Sequence, residues 1–265
     1  MGARLPARIM EFMTVDEVRD GLAETKTVIV PMGVIEQHGY HLPLNTDVCN
    51  CYEIGKRVAE RTGCFLAPPI NYSYSGGELP GTFNIHPATL ALYLNDILKS
   101  LVVMGFKNIF VALGHAGTEN RVATESAVDM FMRLNPEVKD VCFGGAPVMW
   151  FSQKYRPMAM ADKDYHAGWS ETSRIMYWFP ELVREEKIVT DTPELMERFR
   201  QDQDAYQVKT KLFEHEFIYP YIRQHPEIKV GVMGDPSKAS RELGEAITNE
   251  VVDNMSAFML KLDRR

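Results

Sequence analysis

A chain of 265 residues with 45% hydrophobic and 25% charged side chains has ordinary globular composition, and it is long enough to bury a full core without disulfide or metal staples. Its net charge of −7, from 36 acidic and 29 basic residues, argues against a nucleic-acid or anionic-membrane partner, because phosphate surfaces recruit basic patches. No segment approaches the roughly 20 consecutive apolar residues expected of a membrane span. The opening MGARLPARIMEF lacks the apolar stretch of a signal peptide, and four cysteines at 49, 51, 64 and 142 suggest no bridging pattern, so reduced thiols in a cytoplasm are expected.

In chain order, Thr14 and Glu17 stand in capping-box spacing and open a predicted helix over 14–23. The β-branched run TVIVPMG at 27–33 predicts a strand, as do 64–70, 108–113 and 141–146. Amphipathic or apolar helical segments lie between them, at 48–61, at 87–104 with Pro87 in the first turn, and at 120–134. Residues 150–166 are irregular, polar and interrupted by Pro157, and are expected to form a long loop reaching a site. Residues 192–216 are expected to be a solvated helix, and 237–262 a C-terminal helix. Alternation of strands and helices implies βαβ units, a mostly parallel sheet, and one α/β domain over 1–265. Near-continuous apolarity at 27–33 and 108–113 fits strands covered on both faces.

Three polar clusters follow or interrupt this frame. The first, EQHGYHLPLNTD at 36–47, directly follows a strong strand, where open α/β sheets place their sites. Glu36 and His38 are two apart and share a side in extended backbone, while Asp47 begins a helix; all three are metal-ligand types. The second, GHAGTEN at 114–120, also leaves a strand and brings His115 toward the first cluster, although Thr118 could equally be a plain helix cap. The third, HAGWSETS at 166–173, places His166 and Glu171 across a helix start, where Ser170 or Thr172 could cap. The glycine-rich loop at 76–82 has no following Lys-Ser/Thr and is no phosphate loop, and no Gly-x-Ser-x-Gly elbow is present.

Taken with PGTFNIHP at 80–87 and GVMGDPSKAS at 231–240, these segments resemble the creatininase (creatinine amidohydrolase) family, in family order from 27 to 240. The resemblance implies a three-layer αβα fold, two divalent metal ions (Zn, Mn or Fe) per chain, and a homo-oligomer, often a hexamer. It makes Glu36, His38 and His115 ligands and Asp47 a bridge between the ions. His166 and Glu171 fall at positions that are ligand-like or catalytic. Glu119 follows His115 in a segment longer than the usual GHGGN, so either Glu119 or Glu171 completes the metal set.

In this reading a metal-bridging hydroxide attacks a carbonyl of a small polar cyclic amide or related compound, since bound water reaches a pKa of roughly 7. His166 then supplies a proton to the leaving group. Creatinine-hydrolysing members of the family carry a Trp a few residues before the third-motif His, and 161–165 (ADKDY) contains none, which favours a hydroxylated ligand over creatinine. The alternatives are a carbon–carbon hydrolase opening a cyclic polyol ketone such as a keto-inositol, and a metal-bound sensor or scaffold without turnover. A small-molecule substrate is expected in each enzymatic case.

Overall fold

The computed structural model describes residues 7–264; the first six residues of the opening segment lie outside them. Five parallel strands form the central sheet: β1 (Arg8–Ile9), β2 (Thr27–Met32), β3 (Phe65–Leu66), β4 (Asn108–Leu113) and β5 (Cys142–Pro147), in the order β1-β3-β2-β4-β5. Strand β2 is followed in sequence by β3 on one side, while β4 takes its other side, paired from Thr27↔Asn108 to Met32↔Leu113. A topological switch of this kind opens a crevice beyond the carboxyl ends of neighbouring strands.

The period of two along each strand divides the core. Val28, Val30 and Met32 of β2, with Ile109, Val111 and Leu113 of β4, face one side. There they meet Leu90, Leu94 and Leu98 of α3 (Pro87–Met104) and Ala123, Ala127 and Phe131 of α4 (Thr118–Leu134). Val18 and Leu22 of α1 (Val15–Glu24) pack against the same layer. Ile29, Phe110 and Ala112 face the other side, against Ile54 and Val58 of α2 (Thr46–Thr62) and Ile247, Val251 and Met255 of α8 (Arg241–Asp263). The result is the expected αβα sandwich, with α6 (Trp169–Trp178) packed on α8.

The capping box at Thr14 forms as expected, with Glu17 N and Thr14 Oγ1 paired and Glu17 reaching back to Thr14 N. The third strand is shorter than 64–70, because Pro68 and Pro69 bring no N–H to a ladder; Ile70 recovers only one bridge, to Met32. α4 begins at Thr118 with Gly117 as its N-cap. All four cysteines are unpaired.

Three expectations are corrected. Residues 150–166 are not a long loop: they contain α5 (Tyr155–Ala161) after a short 3-10 turn at Val148–Phe151. Ser152 Oγ accepts from Tyr155 N and Arg156 N, Glu250 accepts from Gln153 N and Lys154 N, and Pro157 falls in the first turn, where its missing N–H costs no helical bond. Residues 192–216 are helical only in α7 (Pro193–Gln201). The chain then turns on Asp202 and enters β6 (Gln207–Thr210), which pairs antiparallel with β7 (Tyr221–Gln224). The third expectation, that no segment approaches a membrane span, fails for α3. Its 18 residues, at mean hydropathy 1.2, are long and apolar enough to cross a membrane by length and composition alone. Its Leu90, Leu94, Leu98 and Leu101 are buried in the core, whereas Leu92, Tyr93, Val103 and Met104 are exposed.

Candidate metal centre

Strands β2 and β4 deliver the first two clusters side by side. The chain leaves β2 at Gly33 and returns as α2, whose second residue is Asp47, in the first turn where amide groups favour a carboxylate. The close packing depends on two glycines. A Cβ on Gly114 would lie 1.8 Å from the Asp47 carbonyl oxygen, and one on Gly33 would lie 2.6 Å from Val48 N. Gly114→Ala must therefore push the start of α2 away from the end of β4, a backbone collision at or beyond the usual cost of about 1–3 kcal/mol for overpacking. The expected result is a lowered melting midpoint together with weaker metal retention. Both properties unchanged would show that α2 can shift without disturbing Asp47.

The donor atoms converge in three groups, each close enough to share one ion: Glu36, Asp47 and His115; His38, Asp47 and Glu171; and Glu36, His38 and His166. Asp47 divides its two oxygens, with Oδ2 at 3.2 Å from His115 Nδ1 and Oδ1 at 3.6 Å from His38 Nε2. Glu171 Oε2 is also 3.6 Å from His38 Nε2, and Glu36 Oε2 lies 3.0 Å from His115 Nδ1. His38 Nδ1 donates to the Glu36 carbonyl at 3.1 Å, which fixes the ring and turns Nε2 toward the carboxylates, where a bound cation would take the place of its proton. Side chains sequence reasoning missed hold the carboxylates in place. Ser75 Oγ donates to Glu36 Oε1 at 2.7 Å, and Asn50 Nδ2 donates to Glu171 Oε1 at 3.3 Å. Asn50 lies one helical turn after Asp47, so helix periodicity could have exposed it. Ser75 had no such signal.

Charge coupling in the cluster outweighs burial. Burial alone would raise the Glu36 and Asp47 carboxyls, yet the imidazoles hold both low, Glu36 through His115 and His166 and Asp47 through His38 and His115. Burial likewise opposes a charged His38, but Asp47, Glu171 and Glu36 raise it to about 9, and His115 is raised for the same reason. Without a cation the cluster therefore keeps these histidines protonated, their charge standing in for that of a metal. Even so, Glu36 Oε2 and His38 Nε2 are buried with no aligned hydrogen-bond partner among the described residues. Orphaned carboxylate and imidazole donor atoms suit a divalent cation, and the residues gathered here fit one.

His166 is held more firmly than a mobile loop would allow. It pairs with Met233 through N–H···O bonds of 3.1 and 2.8 Å in both directions, and its ring lies 4.2 Å from that of His38. Its Nε2 is 2.8 Å from Gln37 O and 3.1 Å from Gln37 Nε2. The next residue, Ala167, adopts φ 53°, a left-handed turn that aims its N–H at Glu171 Oε2 (2.8 Å). Neither Ser170 nor Thr172 caps α6. Asp164 does, accepting from Trp169 N and Ser170 N, and burial raises its pKa to about 6. Glu119 lines the same cleft at the start of α4, outside the three donor groups. The cleft, of about 270 Å³, runs from the donors past Trp150, Tyr165 and Tyr206 to Phe199 and Ile228.

A parallel αβα sheet with buried imidazoles and carboxylates gathered at adjacent strand ends, beside a ligand-sized cleft, has the constitution of a metal-dependent hydrolase. The chain belongs to the creatininase family: the family model described as creatinine amidohydrolase matches residues 11–259. Among relatives, a mycofactocin precursor peptide peptidase of Mycolicibacterium smegmatis is 29% identical over 85% of this chain and 81% of its own. A creatinine amidohydrolase of Pseudomonas putida is 29% identical over 63% of this chain and 69% of its own. The solved structure "Creatininase Mn" superposes with a TM-score of 0.78 over 98% of this chain and 100% of that one, at 22% identity, and shows the shared fold. The protein is accordingly a metal-dependent amidohydrolase of this family.

Proposed function

We propose that the chain holds two divalent cations and hydrolyses the C–N bond of a small polar amide, cyclic or peptide-like. The observation that carries this reading is the division of Asp47, whose two oxygens face two different donor groups. Glu36 and His115 would hold one ion with Asp47, and His38 and Glu171 the other; Glu119 is left as a group that faces substrate. Two such cations polarise a carbonyl and make water nucleophilic at neutral pH.

His166 is the proton carrier of the proposal. Its Nε2 can donate to Gln37 O when protonated and accept from the Gln37 amide when not, so both forms are held in one ring position. Gln37 is itself fixed, its Oε1 accepting from Gly39 N at 3.0 Å. The relatives named for a peptide and for creatinine both support an amide as the scissile group. Imidazole and carboxylate donors suit Zn, Mn or Fe, and the manganese in the name of a structural relative supports that range.

The same proposal includes a homo-oligomer, supported by exposed Leu212, Phe213, Phe217 and Tyr219 around the β6–β7 hairpin and by the apolar outer side of α3. It also includes a cytoplasmic setting, supported by the unpaired cysteines.

Metal analysis of protein purified without chelator should return two ions per chain at saturation, and chelation should lower the melting midpoint because the ions bind only the folded donor set. One ion or none at saturation would remove the two-metal reading. Product analysis tests the bond: amide hydrolysis frees an amine, whereas a new carboxylate with no amine would turn the assignment to carbon–carbon hydrolysis.

A further inference from the structure

Arg174 is 2% exposed, yet it lines the cleft. Buried arginines are ordinarily paired with an acid. Here Nε donates to Ser170 O at 3.0 Å, and among the described residues no ion pair and no acceptor for either Nη group accompanies it. Glu171, Asp47 and Asp164 are the charges whose field reaches it, and all three are otherwise engaged. Asp164 caps α6, while Asp47 and Glu171 belong to the donor groups.

The helix explains the placement. Ser170 and Arg174 stand one turn apart on α6, both they and Glu171 line the cleft, and the bond back to Ser170 O folds the guanidinium toward the end of the helix that carries Glu171. Charge balance alone does not account for it. Resting on the two-metal reading above, Glu36, Asp47 and Glu171 carry three negative charges against four positive charges on two divalent ions, so the loaded centre has no need of a further cation.

We propose that Arg174 binds a carboxylate of the substrate, carried close to the scissile amide. A guanidinium offers two parallel N–H groups that match a carboxylate in bidentate fashion, and a water-poor wall strengthens the pairing. The substrate class then narrows to amides bearing an acid near the bond that breaks, either the last residue of a short peptide or a carboxylated lactam.

Non-hydrolysable ketone probes separate these sources. Levulinate replaces the nitrogen of an N-acyl amino acid by carbon, and 3-oxocyclopentane-1-carboxylate does the same for a carboxylated lactam. Each is titrated calorimetrically against the metal-loaded protein alongside its neutral carboxamide. Wild type should bind one of the acids about 10- to 100-fold more tightly than its amide, the range expected of hydrogen bonds to a charged group. The arm that shows the preference names the linear or the cyclic source. Arg174→Gln should reduce the preference to about twofold or less with metal content unchanged, and Arg174→Lys, which keeps the charge without the fork, should retain part of it.

Equal binding of acid and amide in both arms by wild type would overturn the proposal, and that comparison needs no variant to fold. A preference that survives in Arg174→Gln would assign the carboxylate to the metal centre instead, and would overturn it too. Failure of the loaded wild type to cleave any amide, with the acid preference intact, would count against the proposed reaction and not against Arg174.

Discussion

Asp47→Asn is expected to reduce metal content from the proposed two ions per chain to one or none and turnover to below about 0.1% of wild type, a loss of roughly 4 kcal/mol in transition-state stabilisation. Asp47 is 1% exposed, and each of its oxygens faces a different imidazole, His38 on one side and His115 on the other. A shared carboxylate places one negative charge between two cations, and a neutral amide leaves those cations to repel each other at short range. Asn matches Asp in volume, so the fold should persist and the loss should be confined to the centre. Glu36→Gln makes the informative contrast. Glu36 shares a donor group with Asp47 and His115 but not with Glu171, and its Oε1 already takes a hydrogen bond from Ser75, so its loss should weaken one ion more than the other. Metal analysis and circular dichroism on the two variants check the point. Two ions retained in Asp47→Asn, with activity, would remove the bridging role.

The elements that carry these donors were legible because each obeys a strong local rule. Thr27–Met32 and Asn108–Leu113 are short β-branched or apolar runs, and Pro87–Met104 has its proline in the first turn and Gly105 after its end. Glu36, His38, Asp47 and His115 were visible as chemically expensive residues just beyond those strands. The bonds that the supporting residues make were not visible, because they depend on distant segments meeting, although helix periodicity could have placed Asn50 beside Asp47. Ser75 is 39 positions from Glu36, and Asn50 is 121 from Glu171. The helix over Tyr155–Ala161 was hidden for the same reason. Its first two amides go to Ser152, which stands outside the N-cap position, and the two amides just before it go to Glu250, a residue about a hundred positions away on α8, so the usual capping pattern does not announce it. The β6–β7 hairpin was hidden by polarity: it lies away from the core and carries no apolar alternation to betray its period of two. Arg174 was passed over because a lone charge in a helix is ordinarily solvated, and only the fold shows that this one is buried.

His166→Ala is expected to keep both ions and to lower turnover by about 10²–10⁴, the contribution of a positioned general acid or base. Two features of the site bear on this outcome and pull in different directions. The imidazole is near enough to Glu36 and His38 to share an ion with them, so a ligand role is geometrically open. Against that, the other two donor groups already offer five side chains to the two proposed ions without it, and His166 Nε2 is occupied by Gln37 O at 2.8 Å. While Nε2 donates to that carbonyl it has no lone pair to offer a cation, and once it has lost the proton the Gln37 amide can donate to it, so the glutamine competes with an ion in either state and suits the ring to passing a proton. The bridge to Met233 makes the position independent of loop closure, so the variant should fold with its backbone unchanged. A substrate with a better leaving group should suffer less, because it needs less help from a proton donor. Loss of an ion from His166→Ala would instead make this histidine a ligand. Near-normal turnover on every substrate, with both ions present, would reduce it to a structural residue at the entrance of α6.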